Sequence, residues 1–152
     1  MPSSELMKQL NAILRWEWTG VSQYAQYSFV VTGAWREVYA EKFMESAKES
    51  FQHAETIGEK ISAMGGVPDV EREPVKQTAD FQQMLQNSLQ FEQTAVDLYT
   101  ATLALADEED RALAILLEDI LLEEQEGVDD LTKILRETGQ AAMSNVPAQK
   151  TA

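Results

Sequence analysis

Two glutamates stand in matching surroundings 75 residues apart, and they are the first candidates for chemistry in this chain. Leu14-Arg-Trp-Glu17-Trp-Thr-Gly-Val21-Ser-Gln-Tyr24 is echoed by Leu89-Gln-Phe-Glu92-Gln-Thr-Ala-Val96-Asp-Leu-Tyr99. Leu, an aromatic, Glu, Thr, a small residue, Val and Tyr return at the same spacing. Leu10, Ile13, Val21 and Tyr24 flank Glu17 at helical intervals, and Leu85, Ser88, Ala95 and Tyr99 flank Glu92. Each carboxylate therefore falls on the face a helix turns toward a core. A carboxylate placed there must pair, take a proton or bind a metal, because burying it uncompensated is costly. Two of them in equivalent places point to a shared centre.

The repeat extends to a second pair of acids. Glu49 and Glu124 are also 75 residues apart, each 32 residues after its partner Glu17 or Glu92. His53, the only histidine, lies four residues beyond Glu49, on the same helix face, where the two can hold one cation. Four residues beyond Glu124 the counterpart is Val128. Leu113, Leu117, Ile120, Leu131 and Ile134 form an apolar stripe that contains Glu124, whereas Glu123 and Glu126 fall off it and read as surface acids. Oxygen ligands with one imidazole suit Fe(II), Mn(II) or Zn(II) better than a soft metal. The chain has no cysteine, so thiolate sites and disulfides are excluded.

Each of these residues has a plainer alternative. Glu17 and Glu92 can be protonated or hydrogen-bonded core acids, although their repetition favours metal. Glu49 either joins the site or sits at a helix flank facing solvent. Tyr24 and Tyr99 read as core aromatics whose hydroxyls bond to the carboxylates. Gly127 interrupts a helix interior at about 1 kcal/mol relative to Ala. It makes room either for a bulky neighbour such as a tryptophan or for a cavity. Trp16, Trp18 and Trp35 are candidate interface anchors.

Four long helices are needed to position these side chains. The first spans about 4–32 with Gly33 as its stop, and the second about 35–64, closed by Gly65-Gly66 and Pro68. The third opens near Thr78-Ala-Asp80 and runs to about 106; after an acidic turn at Asp107–Asp110 the fourth runs to about 138, ended by Gly139. Strand signals are absent. Two connections are short, which makes their helices antiparallel neighbours. The middle one, 66–77, has two prolines and can extend to roughly 40 Å, against roughly 42 Å for a helix of about 28 residues. The expected fold is all-α: two antiparallel hairpins joined by a long crossover. The bundle occupies 1–139, and 140–152 is expected to be an irregular tail.

The chain resembles the ferritin-like di-iron carboxylate proteins, and among them bacterioferritin, over roughly residues 8–136. The resemblance rests on Leu10-Asn-Ala-Ile-Leu-Arg-Trp-Glu17 with Gln23-Tyr24, on Glu45-Ser with His53-Ala-Glu, Ile61 and Gly66-Val-Pro68, and on Met84-Leu85 with Glu92. It implies a ferritin-like four-helix bundle with Glu17 and His53 on one metal, Glu92 on a second and Glu124 bridging. Tyr24 matches a tyrosine close to the centre and is the residue given a catalytic place. The departures are specific. The family's Glu three before the histidine falls on Ser50, with Glu49 one place off. The second Glu-x-x-His becomes Glu124-Gln-Glu-Gly127, without its histidine. The haem-ligating methionine reads Phe51, which argues against haem held in the family manner.

The resulting expectation is a protein that binds one or two iron ions, with Mn or Zn as alternatives. If a di-iron centre assembles, the resemblance implies ferroxidase-type Fe(II) oxidation linked to iron storage or detoxification, in a homo-oligomer. The alternative is a degenerate bundle serving as a structural or oligomer-forming subunit. The net charge of −14, from 26 acidic and 12 basic residues, argues against nucleic acid as a partner and would draw in cations. No secretory signal or membrane span is evident, so a cytoplasmic location is expected.

Overall fold

Local signals start and stop each helix where chemistry allows. The structure, a computed structural model, describes residues 2–136. It contains α1 (Ser4–Val30), α2 (Arg36–Ala63), α3 (Phe81–Glu109) and α4 (Arg111–Leu135), with no strand among the described residues. Ser3 caps α1 by accepting from the Leu6 N–H, and Asp80 caps α3 by accepting from the Gln83 N–H. Gly65 takes φ +86° after α2, and the N–H groups of Gly65 and Gly66 donate to the carbonyls of Ser62 and Ile61. That paired closure is the αL termination expected of the Gly-Gly signal.

The acidic turn expected at Asp107–Asp110 shrinks to a single residue. α3 continues through Glu109, and Asp110, extended at φ −154°, both ends α3 and caps α4 through the Leu113 N–H. α4 ends at Leu135, short of the expected 138, because Arg136 turns extended at ψ 131°. Gly139 and the 140–152 tail lie outside the described residues.

α1 packs along α2, α3 along α4, and α1 also lies against α3. The crossover between the hairpins runs in extended form beside α1. Asn11 Nδ2 donates to the Val67 carbonyl, Trp18 Nε1 to Asp69, Thr19 Oγ1 to Glu73, and Tyr27 Oη to Lys76. From Asn11 to Tyr27 that is about 24 Å of helix, covered by direct hydrogen bonds. The expected two-hairpin bundle with a long crossover is the fold observed. No helix among the described residues is long and apolar enough to cross a membrane.

Two apolar clusters fill the bundle. One gathers Leu6, Leu10, Ile13, Ile57, Leu113 and Leu117, and the other Tyr27, Phe43, Met84, Phe91 and Leu131. Glu17, His53, Glu92 and Glu124 fall on their helices at the junction of the two. At this junction α1 and α2 come very close: a Cβ on Gly20 would overlap the Ser50 hydroxyl and the Phe91 ring.

Candidate metal centre

Each helix contributes one polar side chain to the junction between the apolar clusters. Glu17 (α1) is 0% exposed, His53 (α2) 5% and Glu124 (α4) 3%. Ligand atoms of these three lie within 4.8 Å of one another, close enough to hold a single ion. His53 Nδ1 is 3.0 Å from Glu124 Oε1 and 3.6 Å from Glu17 Oε1. The 3.6 Å contact is too long for a hydrogen bond, and both His53 Nδ1 and Glu17 Oε2 are buried without a hydrogen-bond partner. Polar atoms in that state are rare in folded proteins and call for an explanation such as an ion.

Two tyrosines hold the carboxylates. The Tyr99 hydroxyl donates to Glu17 Oε1 at 2.9 Å, and the Tyr24 hydroxyl donates to Glu92 Oε1 at 2.5 Å. Glu92, partly buried on α3, also contacts the Glu124 carboxyl. The repeat read from sequence thus becomes a structural exchange: the tyrosine of each half serves the glutamate of the other.

The electrostatics are those of a carboxylate cluster sharing too few protons. Burial, followed by its contact with Glu124, raises Glu92 well above the usual carboxyl range. Burial also raises Glu124, opposed by Glu92 and His53. Burial acts to lower His53, but the nearby Glu124 and Glu17 carboxylates overcome it and push the imidazole up to about 11. Burial and the charges of Glu92 and Glu17 lift Tyr24 and Tyr99, respectively, well above an ordinary phenol.

The two departures noted in sequence have distinct structural consequences. Ser50 packs against Gly20, so α2 supplies no acid at that position. Glu49 instead lies at the rim, its side chain 48% exposed and Oε1 3.9 Å from His53 Nε2. Burial raises its pKa, with His53 opposing. Gly127 packs against Glu92 and borders a pocket of 640 Å³ that is also lined by Tyr24, Glu49, Glu92 and Glu123. No tryptophan lies there; the Glu92 side chain occupies the space against Gly127, and the pocket opens beside it. Trp16 is instead stacked on Phe91 at 4.9 Å, and Trp18 donates to the Asp69 carbonyl. Both are tied within the chain; Trp35 alone of the three is largely exposed.

Glu123 is exposed, as read from sequence, and its Oε2 also lies 2.6 Å from His53 Nε2, a contact the sequence reading missed. The available signal was its position four residues before Gly127, on a helix face left uncovered by the missing side chain.

A family model, the ferritin-like domain, matches residues 7–141. The chain belongs to the ferritin-like domain family. Among solved structures, this ferritin-like chain is similar to a ferritin-like, diiron-carboxylate protein from Bacillus anthracis str. Ames. The TM-score is 0.84 at 28% identity, covering 87% of this chain and 96% of the other. It is also 31% identical to a nutrient stress-induced DNA-binding protein of Nostoc sp., over 84% of this chain and 75% of the relative. A ferritin-like diiron-carboxylate fold, together with a Glu/His set able to hold a metal, supports iron binding.

Proposed function

We propose that this ferritin-like protein takes up Fe(II) as substrate in the interior layer, with Glu17, His53 and Glu124 holding one ion. Glu92 and Glu124 serve a second, less furnished position, because Ser50 and Gly127 supply no donor where the family has them. The observation that carries this reading is a pair of buried atoms without hydrogen-bond partners, Glu17 Oε2 and His53 Nδ1, the latter facing the Glu124 and Glu17 carboxylates. Two carboxylates and an imidazole match the preference of Fe(II), with Mn(II) and Zn(II) as competitors.

The chain's own residues do the rest. Tyr99 and Tyr24 orient Glu17 and Glu92 by donating to one oxygen of each, leaving the other oxygen available. Loading displaces the protons held by His53 and Glu92, so uptake releases them to solvent. The pocket beside Gly127 gives the oxidant access, and each Fe(II) oxidised passes one electron to dioxygen or peroxide. Such ferroxidase chemistry, linked to storage or detoxification in a homo-oligomer of the bacterioferritin kind, is the fuller form of the proposal. Anaerobic Fe(II) titration followed by air tests it: an oxo-ferric absorption band is expected, and no bound iron with a flat trace would sink it.

The degenerate-bundle alternative is favoured by the same two positions, Ser50 and Gly127. It predicts that iron binds but is not oxidised, or does not bind at all. The Nostoc relative is named for DNA binding, whereas 26 acidic against 12 basic residues give this chain little to neutralise phosphate. A gel-shift titration at low salt is expected to show no complex.

A further inference from the structure

Phe29, Trp35 and Val38 are 70%, 63% and 60% exposed, and all three lie at the end of the bundle where α1 turns into α2. Large apolar side chains scattered singly over a surface would identify nothing. These are gathered on a turn that is tied down. Val31 is buried beneath it, the Ser28 hydroxyl donates to the Ala40 carbonyl, and the Arg36 guanidinium donates to the carbonyls of Ser28, Phe29 and Val31. The result is a preorganised apolar knob with a tryptophan on it, the kind of anchor enriched at the energetic centre of interfaces. The opposite end of the same hairpin is concave. An open groove of 450 Å³ lies between the first turns of α1 and the Gly65-Gly66 end of α2. Pro2, Met7 and Met64 give it an apolar wall, and Gly65 leaves open space where a side chain would stand. Methionine side chains adapt readily to an inserted aromatic. Among the residues lining the groove, Lys8 alone is charged.

We propose that the Phe29, Trp35 and Val38 knob of one copy seats in the Met7 and Met64 groove of a second copy, head to tail. The inference rests on the homo-oligomer of the proposed function and names the surfaces that build it. Copies that each carry a net charge of −14 repel one another, so they meet where apolar area is buried and opposite charges face. Glu37 and Glu41 stand exposed on α2 on either side of Val38, and the groove offers Lys8. Knob against knob would instead set Glu37 and Glu41 against their own copies, which like-charge repulsion disfavours. Knob and groove are different surfaces at opposite ends of the bundle, so the contact is heterologous. Each joined pair keeps one knob and one groove free, and assembly continues until the ring or shell closes.

The chain has no cysteine, so one introduced thiol reports one position. V38C and S4C each alter an exposed residue, the first on the knob and the second in the groove. The two variants are mixed under mild oxidation at a concentration where the unmodified protein is assembled. The disulfide-linked dimer is expected to contain one of each, and either variant alone is expected to give little dimer. W35S removes the anchor at the residue that caps α2, where serine is a favoured cap, so the fold is kept. It is expected to raise the assembly midpoint in sedimentation by about tenfold or more. The head-to-tail contact is overturned if the mixture gives only like-with-like dimers or none, or if W35S assembles as the unmodified protein does. Failure of the homo-oligomer reading looks different: the unmodified protein itself would sediment as a monomer at every concentration.

Discussion

A Cβ placed on Gly127 would stand 3.3 Å from the carboxyl carbon of Glu92, so α4 meets this acid where it has no side chain of its own. The contact falls on the movable end of Glu92, which can yield by a few tenths of an ångström. G127A should therefore keep most of the helix-propensity gain and stabilise the metal-free protein by roughly 0.5–1 kcal/mol in urea unfolding. G127H would add an imidazole beside Glu92. It is expected to raise the bound metal, measured by elemental analysis, by one ion per chain.

Glu17 is the acid most completely removed from water, and its Oε2 has no partner. In E17Q/E92Q the amide oxygens still accept from Tyr99 and Tyr24, while two ionisable groups leave the interior. Fe(II) affinity should fall by more than about a hundredfold, and the metal-free protein should unfold at equal or higher temperature. A variant that binds Fe(II) like the parent would remove the interior set from consideration.

The metal-free protein should lose stability as pH rises. His53 is raised from 6.5 to about 11, so the folded state holds a proton that the unfolded state has released over that window. Its contribution is fully present below pH 6.5 and is lost as pH climbs through about 11. Glu92 and Glu124, also raised, add the same sign from pH 4.5 upward, since their charged forms are disfavoured in the fold. Urea midpoints at pH 6 and pH 9 should fall in that order. Saturating Zn(II) should reduce or reverse the trend, because the ion replaces the protons.

Gly20 sits where α1 and α2 nearly touch, against Ser50 and Phe91. Alanine there gains about 1 kcal/mol in helix propensity but overlaps two buried side chains, for which overpacking costs roughly 1–3 kcal/mol. G20A should lower the melting temperature. Any outward shift of α2 also carries His53 with it, so Zn(II) affinity should drop in the same variant.

The helices and the interior acids were legible because their signals are local. Leu10, Ile13, Glu17 and Tyr24 share one face of a 3.6-residue period, and all four are buried. Ser3, Asp80 and Gly65 mark helix ends through their own backbone and side-chain bonds. Asp107–Asp110 misled because a run of acids resembles a turn, whereas only Asp110 leaves the helix. Glu123 and Glu49 were harder. Each lies at the border of its helix's apolar stripe, where a rotation of a few tens of degrees separates solvent from site.

The sequence by itself determined the four helices, the duplication, and the inward placement of Glu17, His53 and Glu124, because the helical period and burial preference act residue by residue. Tertiary structure alone decided that Tyr24 serves Glu92 while Tyr99 serves Glu17, that Ser50 turns to Gly20, and that Glu123 reaches Nε2 of His53. Those outcomes depend on how helices distant in the chain are rotated against one another. That rotation is set by the packing of the whole bundle, which no single helix encodes.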